Sequence, residues 1–124
     1  CGLETNEDNI FTPTKVKYFD DLLSSSEEIK QIVTGDAHSL ALVNTGTLYS
    51  WGWNEYDQCG LGNNKSEKII IPTRVGYFDY QLSESEFITQ INADGVHSSV
   101  ITSKGTTYSW GLKELKNASK IDNK

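Results

Sequence analysis

Methionine is absent from all 124 residues, position 1 included. The expectation is therefore a processed product, an excised piece or an incomplete sequence. Cysteine occurs twice, at Cys1 and Cys59, with no Cys-x-x-Cys pair. No secretory context argues for a disulfide. No apolar run reaches the ~18 residues of a membrane span, and no signal-peptide pattern opens the chain. A basic excess is also missing: Lys and Arg total 11 against 17 Asp and Glu, a formal net charge of −6. A protein that tracks a nucleic-acid backbone needs a basic footprint, so direct nucleic-acid contact is not expected. There is no Gly-x-x-x-x-Gly-Lys-[Ser/Thr] loop, and Gly60-Leu61-Gly62 alone is too weak a signal for a nucleotide, so no cofactor is expected. The triplets Asn64-Lys65-Ser66 and Asn117-Ala118-Ser119 match the glycosylation pattern, which is short enough to arise by chance.

Charge and sequence are both patterned. Residues 1–58 carry 10 acidic and 3 basic side chains, whereas residues 59–124 carry 7 acidic and 8 basic. Pro13–Gly52 aligns with Pro72–Gly111 at an offset of 59, and 21 of the 40 aligned positions are identical. PTKVKYFD matches PTRVGYFD, and HSLALVNTGTLYSWG matches HSSVITSKGTTYSWG. The chain therefore divides into a first repeat, 1–58, and a second, 59–124, whose end, 112–124, is degenerate. A period of this length means an array of like units.

Each unit reads as short strands. His38–Val43 and Thr47–Trp51 are rich in β-branched, aliphatic and aromatic residues and flank Asn44-Thr45-Gly46. This is a hairpin whose glycine takes the left-handed conformation. Gly105 does the same in the second unit. Ile29–Val33 is an inner strand. Pro13–Phe19 and its copy Pro72–Phe78 are expected as outer strands, each starting at a proline because proline cannot donate within a ladder. The expectation is all-β: four-stranded antiparallel propeller blades, about two of them, as one whole blade and parts of two neighbours.

GDAHSLALVNTGTLYSWGWNEYDQCGLG followed by PTRV resembles the regulator-of-chromosome-condensation repeat. The resemblance covers nearly the whole chain. Its signature falls on His38, Gly46, Trp51 and Gly52, and again on His97, Gly105, Trp110 and Gly111. Asp57, Cys59 and Asp94 stand where the family pattern has Gly, Leu and Gly, and 112–116 lacks the expected Asn-x-x-Gly-Gln-Leu-Gly. The resemblance implies an incomplete seven-bladed β-propeller, completed by the remaining blades of a parent chain. The tryptophan-cluster signature of the family's plant UV-B photoreceptor, Gly-Trp-Arg-His-Thr, is absent, and photoreception is not expected.

His38 and His97 lack the neighbouring ligands of a zinc site and the partners of an activated nucleophile. They read as structural histidines that satisfy backbone groups between strands. Trp51 and Trp110 read as packing residues, while Trp53, replaced by Leu112 in the second unit, is free to cap the blade or touch a partner. Cys1 and Cys59 are expected as free thiols. The segment 54–71, rich in turn formers, reads as a loop to the opposite rim.

Two equivalent loops hold the candidate partner-binding residues: Asp20, Asp21, Glu27 and Glu28 in the first, and Asp79, Glu84 and Glu86 in the second. They join the outer strand of one blade to the inner strand of the next, on the same rim as the Asn44–Gly46 and Ser103–Gly105 turns. A solvated acidic loop is the default reading. A capping box at Ser24-x-x-Glu27 opening a helical turn is another. Phosphorylation at Ser24 or Ser83 is a third, and a docking surface for a basic protein patch is the fourth. The functional expectation is a non-catalytic protein-interaction module, not an enzyme, in the cytoplasm or nucleus. The family resemblance adds two alternatives: part of an exchange factor for a Ran-like small GTPase, or the accessory propeller of a HECT-type ubiquitin ligase.

Overall fold

A computed structural model describes residues 13–62, 66–112 and 119–121. Its elements are α1 (Tyr18–Leu22), β1 (Ile29–Thr34), β2 (His38–Val43), β3 (Leu48–Trp53), β4 (Lys68–Arg74), α2 (Phe78–Gln81), β5 (Ile88–Asp94), β6 (His97–Thr102), β7 (Thr107–Gly111) and β8 (Ser119–Ile121). The strands form two four-stranded antiparallel sheets, ordered β1-β2-β3-β4 and β5-β6-β7-β8. This is the all-β blade arrangement expected from the repeat. Gly46 and Gly105 take positive φ, 93° and 81°, in their hairpin turns.

Strand alternation builds the core. Successive side chains on a strand point to opposite faces. On β2, Leu40 and Leu42 face the second sheet, where they join Leu48, Ile88, Ile91, Val100, Tyr108 and Trp110 in one buried cluster. Ala41 and Val43 face the other way, into a cluster with Phe19, Tyr49, Trp51, Cys59 and Ile69. Both faces of the first sheet are thus covered. β5 packs against β1 and β2, so the sheets lie face to face. Phe78, at the start of α2, stacks edge-on against Tyr108, with ring centroids 5.2 Å apart. Phe19, in α1, does the same to Tyr49 at 5.5 Å.

Three sequence expectations are corrected. The outer strand that closes the first sheet is Lys68–Arg74, not Pro72–Phe78, and it takes the last residues of the segment read as the 54–71 loop. Pro72 lies inside it, where the β3–β4 register jumps between the pairs Ser50–Thr73 and Gly52–Ile69. A proline is tolerated there because the bulge interrupts the ladder and needs no N–H. Residues 13–17 carry no ladder, no third sheet lies beside them among the described residues, and Phe19 and Phe78 are helical. Finally, β8, from the degenerate end, gives the second sheet a short fourth strand, so two blades of four strands replace one whole and two parts.

Candidate functional site: an acidic rim and an inter-blade clasp

The rim forms where each hairpin turn meets the loop that enters its own blade. Asn44 N–H donates to the Glu28 carbonyl (3.0 Å), and Glu28 N–H donates to Asn44 Oδ1 (3.2 Å). Asn44 Nδ2 reaches the Ser26 carbonyl at 3.1 Å. In the second unit, Ser103 N–H donates to the Phe87 carbonyl (2.8 Å) and Phe87 N–H to Ser103 Oγ (3.1 Å). The turns and acidic loops therefore share one rim, as the sequence indicates.

The acidic residues are not equivalent once placed. Glu27 accepts from the Ser24 N–H and from Thr45 Oγ1, both at 3.1 Å. The Ser24 N–H, and after it the Thr45 hydroxyl, hold its carboxyl below the usual value. This is half of a capping box. Glu27 N–H bonds to the Ser24 carbonyl, which closes a turn, and no helical element follows before β1. Glu86 accepts from Thr102 Oγ1 at 2.6 Å. Asp20 pairs with Lys15 at 2.9 Å, and Asp79 with Arg74 at 2.8 Å. Asp21 lies within α1. Glu28 and Glu84 are exposed, and Glu84 borders an open groove of about 470 Å³ between the blades, with Lys30, Leu42, Asn44, Phe87 and Ile88.

Sequence reasoning missed two rim aromatics, Tyr80 at 89% exposure and Phe87 at 56%. They occupy the positions of Asp21 and Glu28, and that acid-to-aromatic exchange between copies was the available signal. Trp53 is not part of this group. It ends β3 at the opposite end from the Asn44–Gly46 turn, roughly 20 Å away for a six-residue strand, with Nε1 donating to Glu55 at 3.3 Å.

His38 holds the two blades together. Its Nε2 lies 2.7 Å from Ser98 Oγ, and Ser98 Oγ lies 2.7 Å from the Gln58 carbonyl. The carbonyl can only accept, so the single Ser98 hydroxyl proton goes to it and the His38 Nε2–H donates to Ser98. Trp110 Nε1 donates to the same carbonyl at 2.9 Å. The partner of Nε2 is thus a side chain of the other sheet. Burial lowers the His38 pKa. His97, its counterpart, is exposed. Gly35 permits the His38 pose, since a Cβ there would collide with the imidazole Cε1. Gly52 and Gly111, at φ 106° and 128°, bring β3 and β7 against the backbone of Ala37 and Val96, where a Cβ has no room.

The thiol of Cys59 is buried and free, and desolvation pushes it up to about 12. Cys1, Asn64 and Asn117 lie outside the described residues. Among the described residues no group of three or more His, Cys, Asp and Glu is placed to hold a metal, and no helix is long and apolar enough to cross a membrane.

Models of the regulator of chromosome condensation (RCC1) repeat match residues 29–58 and 45–101. The ultraviolet-B receptor UVR8 of Arabidopsis thaliana is 33% identical over 86% of this chain, which spans 21% of that protein. The probable E3 ubiquitin-protein ligase HERC6 of Homo sapiens is 34% identical over 82% of this chain, which spans 9% of it. Among solved structures, Prp20p of Saccharomyces cerevisiae, characterised for its binding to Gsp1p and histones, superposes with a TM-score of 0.64. The identity is 23%, over 75% of this chain and 25% of that one. The chain thus spans a quarter or less of each of these proteins. Its two blades, its repeat signature and these matches together place the chain in the regulator of chromosome condensation (RCC1) repeat family.

Proposed function

We propose that this chain is a non-catalytic protein-interaction module whose acidic rim docks a basic surface of a partner protein. One observation carries the reading. The exposed carboxylate of Glu84 borders the inter-blade groove, Phe87 stands exposed at its edge, and Glu28 is exposed where its backbone bonds Asn44, which lines the same groove. An aromatic anchor beside unpaired charge is what a docking surface needs: the aromatic supplies contact energy, and the charge steers encounter. Glu27 and Glu86 brace the loops and are poor probes. The double variant Glu28→Lys/Glu84→Lys changes charge without touching a side-chain hydrogen bond among the described residues. Histones serve as the basic probe. Association is expected to slow and to lose salt sensitivity in the variant. Equal rates and equal salt dependence, with an unchanged circular dichroism spectrum, would sink the proposal.

A second reading, the accessory propeller of a ubiquitin ligase, is favoured by the 34% identity to HERC6. A catalytic domain in the same reading frame is its test. A small GTPase remains the alternative partner, which nucleotide-release measurements with Ran and the parent protein would probe.

A further inference from the structure

The two loops differ in one respect that the docking reading does not use. In the second loop, Lys104 Nζ lies 3.1 Å from Ser83 Oγ. Among the described residues no carboxylate pairs with Lys104, although Glu84 and Glu86 belong to the same loop. Glu86 is turned onto Thr102 Oγ1. A cation is therefore held against a neutral hydroxyl. Ser83 is exposed, as are Glu84 and Ser85.

We infer that Ser83 is a phosphoacceptor for a serine kinase that selects downstream acids, and that Lys104 receives the phosphate. Ser83-Glu84-Ser85-Glu86 places carboxylates one and three positions after the hydroxyl, the arrangement a basic substrate groove recognises. In the transfer, Ser83 Oγ attacks the γ-phosphorus of ATP and an O–P bond forms. The bond from that phosphorus to the bridging oxygen breaks and ADP leaves. The hydroxyl proton passes to the kinase's catalytic carboxylate. The product adds about −1.5 to −2 charge. The hydrogen bond from the Lys104 ammonium then becomes an ion pair with a charged acceptor and ties the 79–86 loop to the Ser103–Gly105 turn.

The first repeat supplies an internal control. Ser24-Ser25-Ser26-Glu27 shares the acid three positions after the hydroxyl but not the one next to it, and Thr45 stands in the place of Lys104 and bonds Glu27 instead. Ser24 Oγ lies 3.2 Å from Ser26 Oγ and also bonds the Glu27 carboxylate, and no cation pairs with it among the described residues. A phosphate on Ser24 has no such cation.

The test incubates the 124-residue chain with ATP and an acid-directed serine kinase, maps the sites by mass spectrometry, and titrates the phosphates by ³¹P NMR. Phosphate is expected on Ser83, with its second ionisation about 0.2–0.7 pH unit below that of phosphorylated Ser24, the range for a solvent-exposed ion pair. Lys104→Gln should remove that difference and Lys104→Arg should keep it, each with an unchanged circular dichroism spectrum. Two results would overturn the inference: no phosphate on Ser83, or a Ser83 phosphate that titrates like that on Ser24 and ignores Lys104→Gln. The docking reading survives either result, because neither involves the histone probe.

Discussion

Removing one hydroxyl, in Ser98→Ala, should loosen the two blades more than any surface change. Ser98 is 1% exposed and His38 2%. The substitution leaves the His38 Nε2–H buried without an acceptor, while the Gln58 carbonyl keeps Trp110. Leaving one buried polar group unpaired costs about 1–3 kcal/mol. For a domain of this size that corresponds to a fall in Tm of roughly 4–12 °C. Urea titration and thermal melting measure it. Ser98→Thr keeps the hydroxyl and should recover part of the loss. Ser99→Ala, next in sequence but on the opposite, half-exposed face of β6, should cost less than about 0.5 kcal/mol. A double-mutant cycle between Ser98→Ala and His38→Ala should show coupling of at least about 0.5 kcal/mol. The reasoning fails if Ser98→Ala melts with the parent, if Ser99→Ala costs as much, or if the cycle shows no coupling.

Three further outcomes follow from the same contacts. Burial depresses the His38 pKa, so between the folded value and the unfolded value near 6.5 the unfolded chain binds more protons. Stability should be full above that unfolded value and decline as pH falls below it, a slope that His38→Gln should flatten in pH-dependent urea titrations. Trp110→Phe should cost about 0.5–1.5 kcal/mol more than Trp51→Phe in the same titrations. Trp110 Nε1 bonds the Gln58 carbonyl, whereas Trp51 Nε1 has no partner among the described residues. Cys59, at a pKa of about 12, should resist a thiol reagent at pH 8 until urea unfolds the chain. Reaction at the rate of a free thiol in the native state would contradict its burial.

The repeat made the blades legible, because alternation in His38–Val43 and the glycine of each hairpin turn are local signals. The outer strand was not legible, because from sequence a proline at 72 looks like a strand's beginning. Only its register opposite β3 shows that it sits within a bulge. The rim was legible as a location, since loops at equivalent repeat positions must emerge together. The roles of its carboxylates were not. Glu27 and Glu86 share a position in the repeat, yet one bonds Thr45 and the other Thr102, because Lys104 replaces Thr45. The His38 clasp joins residues 60 positions apart. No local pattern pairs them, although the identity of His38-Ser39 with His97-Ser98 held half of the information.

Comparing the copies face by face separates what makes a blade from what joins blades. The face that looks back along the chain is largely retained: Phe19, Tyr49 and Trp51 correspond to Phe78, Tyr108 and Trp110, and Val16 to Val75. The forward face is not. Val33, Leu40, Leu42 and Leu48, which pack against the second sheet, correspond to Asn92, Ser99, Ile101 and Thr107. Fully burying a leucine is worth about 1.5–3 kcal/mol, so a neighbour on that forward face gains far less from apolar burial than the second blade gains from the first. Asp94 stands at the Gly35 position, and its Cβ excludes His97 from the pose His38 takes. Both the apolar contact and the clasp are therefore weakened at the same face. The interface between these two blades is apolar and clasped, whereas the corresponding face of the second blade presents Asn92, Ser99, Ile101 and Thr107.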